Sequence, residues 1–130
     1  MSAWKTQTKP NEIQTILVIS QDTKMVAAWE LAFRQKGCYM IHEKTPRHAL
    51  QAARLVSPSL VIVDLDLTRP ERLSLCKELR PMTSRALLLL APKTNEDEVS
   101  EYYRAGVDER LSPTISPTVL LSKSLAWLAQ

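Results

Sequence analysis

The stretch Ser59–Leu67, SLVIVDLDL, decides how the rest of the chain is read. Leu60, Val61, Ile62 and Val63 form a short apolar run without alternation, and the run ends in Asp64. β-Branched residues in an unbroken run suit a strand covered on both faces, as in a parallel sheet packed between helices. An ionised aspartate is unfavourable in such an interior, which places Asp64 where the strand emerges. In open α/β sheets that carboxyl edge is where ligands and chemistry gather.

Toward the N-terminus, Ile13–Ser20 ends in the apolar run Ile16–Ile19 and predicts a first, central strand. Asp22 or Thr23 caps a helix on which Met25, Trp29, Ala32 and Phe33 recur at helical spacing, and Gly37 closes it. Cys38–His42 is a short second strand. Thr45-Pro46 is an N-cap with proline at the first helical position.

Toward the C-terminus, a helix begins near Pro70, uses Leu73, Cys76 and Leu79 as its apolar face, and stops at Pro81. Ala86–Ala91 is a fourth buried strand. Asn95 caps a helix with Glu96, Asp97 and Glu98 in its first turn, where negative charge suits the helix dipole, and Gly106 ends it. Val107–Ser112 is a weak fifth strand, interrupted by Asp108, Glu109 and Arg110. Ser116-Pro117 opens a last helix with Leu120, Leu121, Leu125 and Leu128 on its apolar side. Strand and helix alternate five times, and right-handed crossovers then give a doubly wound parallel sheet with helices on both faces.

With 130 residues, 45% of them hydrophobic and 24% charged, the chain is expected to be one domain, 13–130, after a flexible polar segment, 1–12. No apolar run spans a bilayer and no signal-peptide pattern opens the chain, so a cytoplasmic protein without membrane contact is expected. The net charge of +3 is spread without a basic run, which argues against nucleic-acid binding by this domain. Cys38 and Cys76 lack metal or redox spacing, and Cys76 reads as a small buried hydrophobe. Only two glycines occur, neither after the first strand, which excludes a dinucleotide fingerprint or a Walker loop. His42 and His48 have no ligand partners at metal spacing and read as surface residues. Trp29 reads as core, Trp127 as packing back on the domain or marking where a longer protein continues. Of Tyr102 and Tyr103 at most one can face the interior.

ILVIS at the first strand, LVIVDLDL at the third and AGVDERLSPTISPTVLL near the end together resemble the receiver domain of two-component response regulators. The last segment follows that family's AGADDYLxKPFxxxEL spacing, retaining Ala105, Gly106 and Asp108. The resemblance runs from about Ile13 to Leu128 and implies a flavodoxin-like (βα)5 fold, strand order 2-1-3-4-5. It also implies phosphoryl transfer from a histidine kinase to an aspartate, with Mg²⁺ held by two acids, assisted by a hydroxyl and a lysine that neutralise charge on the transferring group.

Position by position, Asp64 matches the phosphoacceptor. The acid pair falls on Ser20 and Gln21, the hydroxyl on Ala91, the lysine on Pro113 with Thr114 after it, and the aromatic switch on Arg110. The proline and glycine of the loop after the acceptor fall on Thr68 and Arg72. Asp22 and Asp66 lie nearby, but Asp22 is one residue past the acid pair and Asp66 matches a position that serves through its backbone carbonyl. One carboxylate makes a poor Mg²⁺ site, so no metal or other cofactor is expected. Arg69 and Arg72 follow Asp64, with Arg47 on the same rim, and a guanidinium paired with Asp64 or Asp66 would replace the cation. The competing reading makes these arginines solvated loop charges.

The first functional expectation is therefore a degenerate receiver, or pseudo-receiver. It would not be an enzyme, and would work by contact with a sensor kinase or an effector protein or domain, with Asp64 a vestige. In receiver-like folds the fourth helix, fifth strand and fifth helix commonly form an output or dimer face, here carrying Glu96, Asp97, Glu98, Glu101, Arg104, Arg110 and Lys123, a mixture that can make a homodimer, with a solvated surface as the ordinary alternative. Two alternatives are a working phosphoacceptor at Asp64 and a small-anion-binding domain that uses Arg69 and Arg72.

Overall fold

The computed structural model describes residues 13–130, so the expectation for 1–12 lies outside the described residues. Five parallel strands form one sheet in the order β2-β1-β3-β4-β5, the expected doubly wound topology. They are β1 (Gln14–Ser20), β2 (Cys38–Glu43), β3 (Leu60–Asp64), β4 (Ala86–Leu90) and β5 (Glu109–Leu111). The helices are α1 (Thr23–Gln35), α2 (Pro46–Val56), α3 (Arg69–Leu79), α4 (Glu96–Arg104) and α5 (Pro117–Leu128), with a single 3₁₀ turn, Arg80–Met82, after α3.

The central strands divide their side chains between two cores, as the two-residue period of a strand requires. Leu17, Ile19, Val61, Val63, Leu87 and Leu89 face the side covered by α2, α3 and α4, where they meet Ala49, Ala53, Leu75, Cys76, Leu79 and Tyr102. Ile16, Val18, Leu60, Ile62, Leu88 and Leu90 face α1 and α5, against Val26, Trp29, Phe33, Leu120 and Leu128. Trp29 and Cys76 are core residues, as expected. Burying a branched aliphatic side chain contributes about 1.5–3 kcal/mol relative to exposure. These two layers therefore dominate folding.

Helix starts follow their local chemistry. The Asp22 carboxylate accepts from the Met25 amide, Thr45 from His48, Asn95 from Glu98 and Ser116 from Val119. Thr68 and Glu71 form a reciprocal capping box at α3, and the two hydrogen bonds from Thr68 hold the Glu71 carboxyl below the usual range. Gly37 and Gly106 both have positive φ, as helix-ending glycines do.

Several boundaries differ from the sequence expectation. α3 gives way to a 3₁₀ turn that contains Pro81 instead of stopping there. β5 has only three residues, because Asp108 turns its carboxylate onto the Leu87 amide (2.8 Å) and the Arg80 guanidinium (2.5 Å). Among the described residues no helix is long and apolar enough to cross a membrane.

Candidate functional site

Parallel pairing sets Ser20 of β1 beside Asp64 of β3 at the carboxyl edge of the sheet. Ser20 is fully buried and donates its hydroxyl to Asp64 Oδ2 at 2.8 Å. The Ser20 hydroxyl oxygen also accepts the Asp22 amide at 3.1 Å, so it is fixed from both sides. Burial pushes the half-buried Asp64 carboxyl above its ordinary value; the Ser20 hydrogen bond opposes this and the nearby negative charge of Asp22 adds to it.

The rest of this edge carries little anionic chemistry. Gln21 is exposed, and Asp22 is occupied as the cap of α1. Asp66 is exposed, two residues beyond the strand. Ala91 is fully buried and offers a methyl group, while Pro113 is exposed in the loop before α5. No group of three His, Cys, Asp or Glu side chains able to hold a metal ion occurs among the described residues.

Arg110, which the resemblance sets at the aromatic switch position, folds inward and donates Nη1 to the Ala91 carbonyl at 2.7 Å. A guanidinium thus anchors the backbone at Ala91, where the resemblance leads one to expect a hydroxyl. His42 differs from its expected surface placement: it is half-buried on β2, and its Nε2 lies 2.7 Å from the Ser20 carbonyl oxygen. It thereby holds the end of β1 from the opposite side to Asp64. His48 is exposed, as expected.

The two loop arginines go elsewhere, which corrects the pairing expected with Asp64 or Asp66. Arg72 donates Nη2 to the Leu67 carbonyl (2.9 Å) and Nη1 to the Tyr102 hydroxyl (2.8 Å). Arg69 forms an ion pair with Glu101 of α4. Among the described residues neither comes within ion-pairing distance of Asp64 or Asp66. The physical reason is direction. Both residues lie in the first turns of α3, and their side chains reach across to α4, where a buried tyrosine hydroxyl needs a partner. Arg72 is not a solvated loop charge, the competing expectation, whereas Arg69 keeps 45% of its side chain exposed in its ion pair.

On the α4–β5–α5 face, Tyr102 is fully buried and Tyr103 is 45% exposed, so one of the pair faces the core, as anticipated. Several of the face's charges are engaged within the chain. Glu109 accepts from Lys123 Nζ at 2.7 Å and Trp127 Nε1 at 2.9 Å, Glu101 holds Arg69, and Arg110 holds Ala91. Trp127 therefore packs back on the domain. Partial burial works to raise the Glu109 carboxyl, but Lys123 and Trp127 outweigh it and hold it below its ordinary range.

The chain matches no established family profile. It is similar to the DNA-binding response regulator MtrA of Mycolicibacterium paratuberculosis, 26% identical over 115 residues, covering 88% of this chain and 51% of that protein. The chain thus spans about half the length of the curated relatives it matches. Among solved structures, a two-component response regulator from Clostridium difficile superposes with a TM-score of 0.78 at 18% identity, covering 90% of this chain and 97% of the other. A response regulator from Thermotoga maritima gives 0.77 at 21% identity, covering 92% and 100%.

Proposed function

We propose that this chain, which is by fold a response-regulator receiver domain, is a degenerate receiver that signals by protein contact without Mg²⁺-dependent phosphoryl transfer. The observation that carries the reading is the buried Ser20 hydroxyl donating to Asp64 Oδ2 at 2.8 Å. In the family, an acid beside the acceptor helps hold the metal. Here a neutral hydroxyl occupies that place and engages one of the acceptor's own oxygens.

The donor set does not fit Mg²⁺. That ion dehydrates reluctantly and is held through carboxylates that keep several waters. Asp64 is the one carboxylate placed for it, since Asp22 caps α1. By the resemblance, Pro113 stands at the lysine position after β5 and Ala91 at the hydroxyl position after β4, so the charge on a transferring phosphoryl group would meet little compensation there. A guanidinium is present at Arg110, but its Nη1 is engaged with the Ala91 carbonyl.

The partner on this reading is a sensor kinase or an effector protein or domain in the cytoplasm, met through exposed parts of α4, β5 and α5, and the chain is not an enzyme. A homodimer through the same face would rely on Tyr103, Val119 and the remaining free charges, since Glu101, Arg110 and Lys123 are already engaged. The test is incubation with Mg²⁺ and a small phosphodonor, or with beryllofluoride, followed by intact mass and amide spectra. No mass gain and no amide shift are expected. Stoichiometric modification that disappears in Asp64→Asn overturns the reading in favour of a working phosphoacceptor.

A further inference from the structure

The geometry points to a built-in strut: Arg72, seconded by Arg69, ties α4 in one fixed orientation to the loop that leaves Asp64. This extends the proposed contact-based function, because it fixes one of the surfaces through which such a receiver would act.

The strut can be followed atom by atom. Arg72 Nη2 donates to the carbonyl of Leu67, three residues past Asp64, at 2.9 Å. Nη1 of the same guanidinium donates to the Tyr102 hydroxyl at 2.8 Å. That hydroxyl donates onward to Glu98 Oε1 at 3.2 Å, and the other oxygen of Glu98 accepts from Thr94 Oγ1, in the loop between β4 and α4. Arg72 also lies over the Tyr102 ring, 5.9 Å from its centroid, a cation–π distance. Alongside, Arg69 pairs with Glu101, one residue before Tyr102.

Two properties make this more than a surface tie. Tyr102 is fully buried in the core between the sheet and α3, so its hydroxyl has no solvent alternative to Arg72 and Glu98. The planar guanidinium offers two prongs in a fixed fork, which a flexible ammonium does not. On its own helix, Glu71 is occupied in the capping box with Thr68, and burial pushes the neighbouring Cys76 thiol up to about 12 despite the arginine beside it, so that sulfur stays neutral. Both loops bordering the Asp64 edge, Leu65–Thr68 and Ala91–Asn95, are thereby held together by side chains that need no phosphoryl group. The orientation of α4 is set by arginines and not by the state of Asp64.

Amide hydrogen exchange on the whole chain tests this without any phosphodonor. Arg72→Met keeps much of the aliphatic stem and removes the fork; it is expected to speed exchange of the α4 amides about tenfold, with α1 and α5 unchanged. Tyr102→Phe, which removes one oxygen, is expected to do much the same. The double variant is expected to exchange no faster than Arg72→Met alone. Arg72→Lys restores the charge without the fork and is expected to rescue only part of the protection. Asp64→Asn is expected to leave α4 exchange as in the parent. If Arg72→Met does not fold, Tyr102→Phe carries the test alone. Unchanged α4 exchange in both variants, equal acceleration in every element, or an Asp64→Asn effect as large as that of Arg72→Met overturns the strut. Phosphorylation of Asp64 with α4 still tied would overturn the proposed function and leave the strut standing; a loose α4 with an inert Asp64 would do the reverse.

Discussion

Among the described residues each end of the parallel sheet sets one aspartate in a half-buried position, Asp108 and Asp64, and their surroundings are unlike. At the amino end, Asp108 receives the Leu87 amide and Arg80, whose Nη1 also reaches the Gly106 carbonyl at 3.0 Å. Thr83 is buried, its carbonyl accepts from Arg80 Nη2 at 3.4 Å, and its hydroxyl donates to backbone carbonyls of Ser59 and Ala86. At the carboxyl end, Asp64 has one buried hydroxyl and otherwise apolar or exposed company. The aspartate that holds β4, β5 and the turn after α3 together retains its cation. The aspartate at the carboxyl edge has none. On the proposed reading, the partners that tie the fold together matter to folding, whereas a reactive constellation is dispensable to the core.

The sharpest way to break this comparison is at the amino end. A Cβ at Gly106 would sit 2.6 Å from Arg80 Cγ, and the residue has φ of +106°, where L side chains are strained. Gly106→Ala is expected to cost about 3 kcal/mol, from strain together with displacement of Arg80 from Asp108, measured as the denaturant midpoint. An equally large loss from Asp64→Asn would erase the contrast between the ends.

Next in size is the reverse experiment, returning acids to the carboxyl end. Ser20→Asp with Gln21→Asp puts a carboxylate in a fully buried position beside Asp64. In the absence of divalent cations, like-charge repulsion and desolvation are expected to lower stability by about 2 kcal/mol. Millimolar Mg²⁺ is then expected to restore most of that loss, since an ion bound only by the folded state stabilises it. The parent chain's melting temperature is expected to stay the same with or without Mg²⁺, and a clear rise in the parent would mean that Asp64 still has a metal site.

Much of the fold could be read from local signals. The unbroken apolar run of β3 and the caps at Thr45-Pro46, Asn95 and Ser116-Pro117 involve neighbours within a few residues, and each formed as expected. The pairing of Ser20 with Asp64 follows from strand order once the topology is known. The destinations of long side chains do not follow in this way. Arg72 meets Tyr102 thirty residues away, and His42 meets the carbonyl of Ser20 twenty-two residues back. Sequence adjacency aimed Arg69 and Arg72 at Asp64 because all three share a loop. It could not show that α3 presents both toward α4. The sequence pattern makes β5 longer than the three residues that pair for a similar reason, since the distant partners of Asp108 lie outside any local signal.

The smallest effects give the contrast a sign. Asp64 has a folded value raised above the ordinary 3.8, so the folded state holds its proton more tightly than the unfolded one. Its contribution therefore becomes less favourable as pH rises from the ordinary value through the raised one. Asp64→Asn is accordingly expected to gain under about 1 kcal/mol at neutral pH after solvent screening, a gain that disappears in acid. Glu109, held below its ordinary value of 4.5 by Lys123 and Trp127, runs the other way. Its contribution is present in full above the ordinary value and is lost as pH falls through the lowered one. Glu109→Gln removes the charge and turns one of the two acceptor oxygens into an NH2 donor, leaving one oxygen for Lys123 or Trp127. It is expected to lose under about 0.5 kcal/mol at neutral pH, with parent and variant converging in acid. Thermal melts of both variants across pH should give difference curves of opposite sign. Curves of the same sign would mean that Asp64 has a cationic partner after all, and that its carboxylate is held in place as Glu109 is.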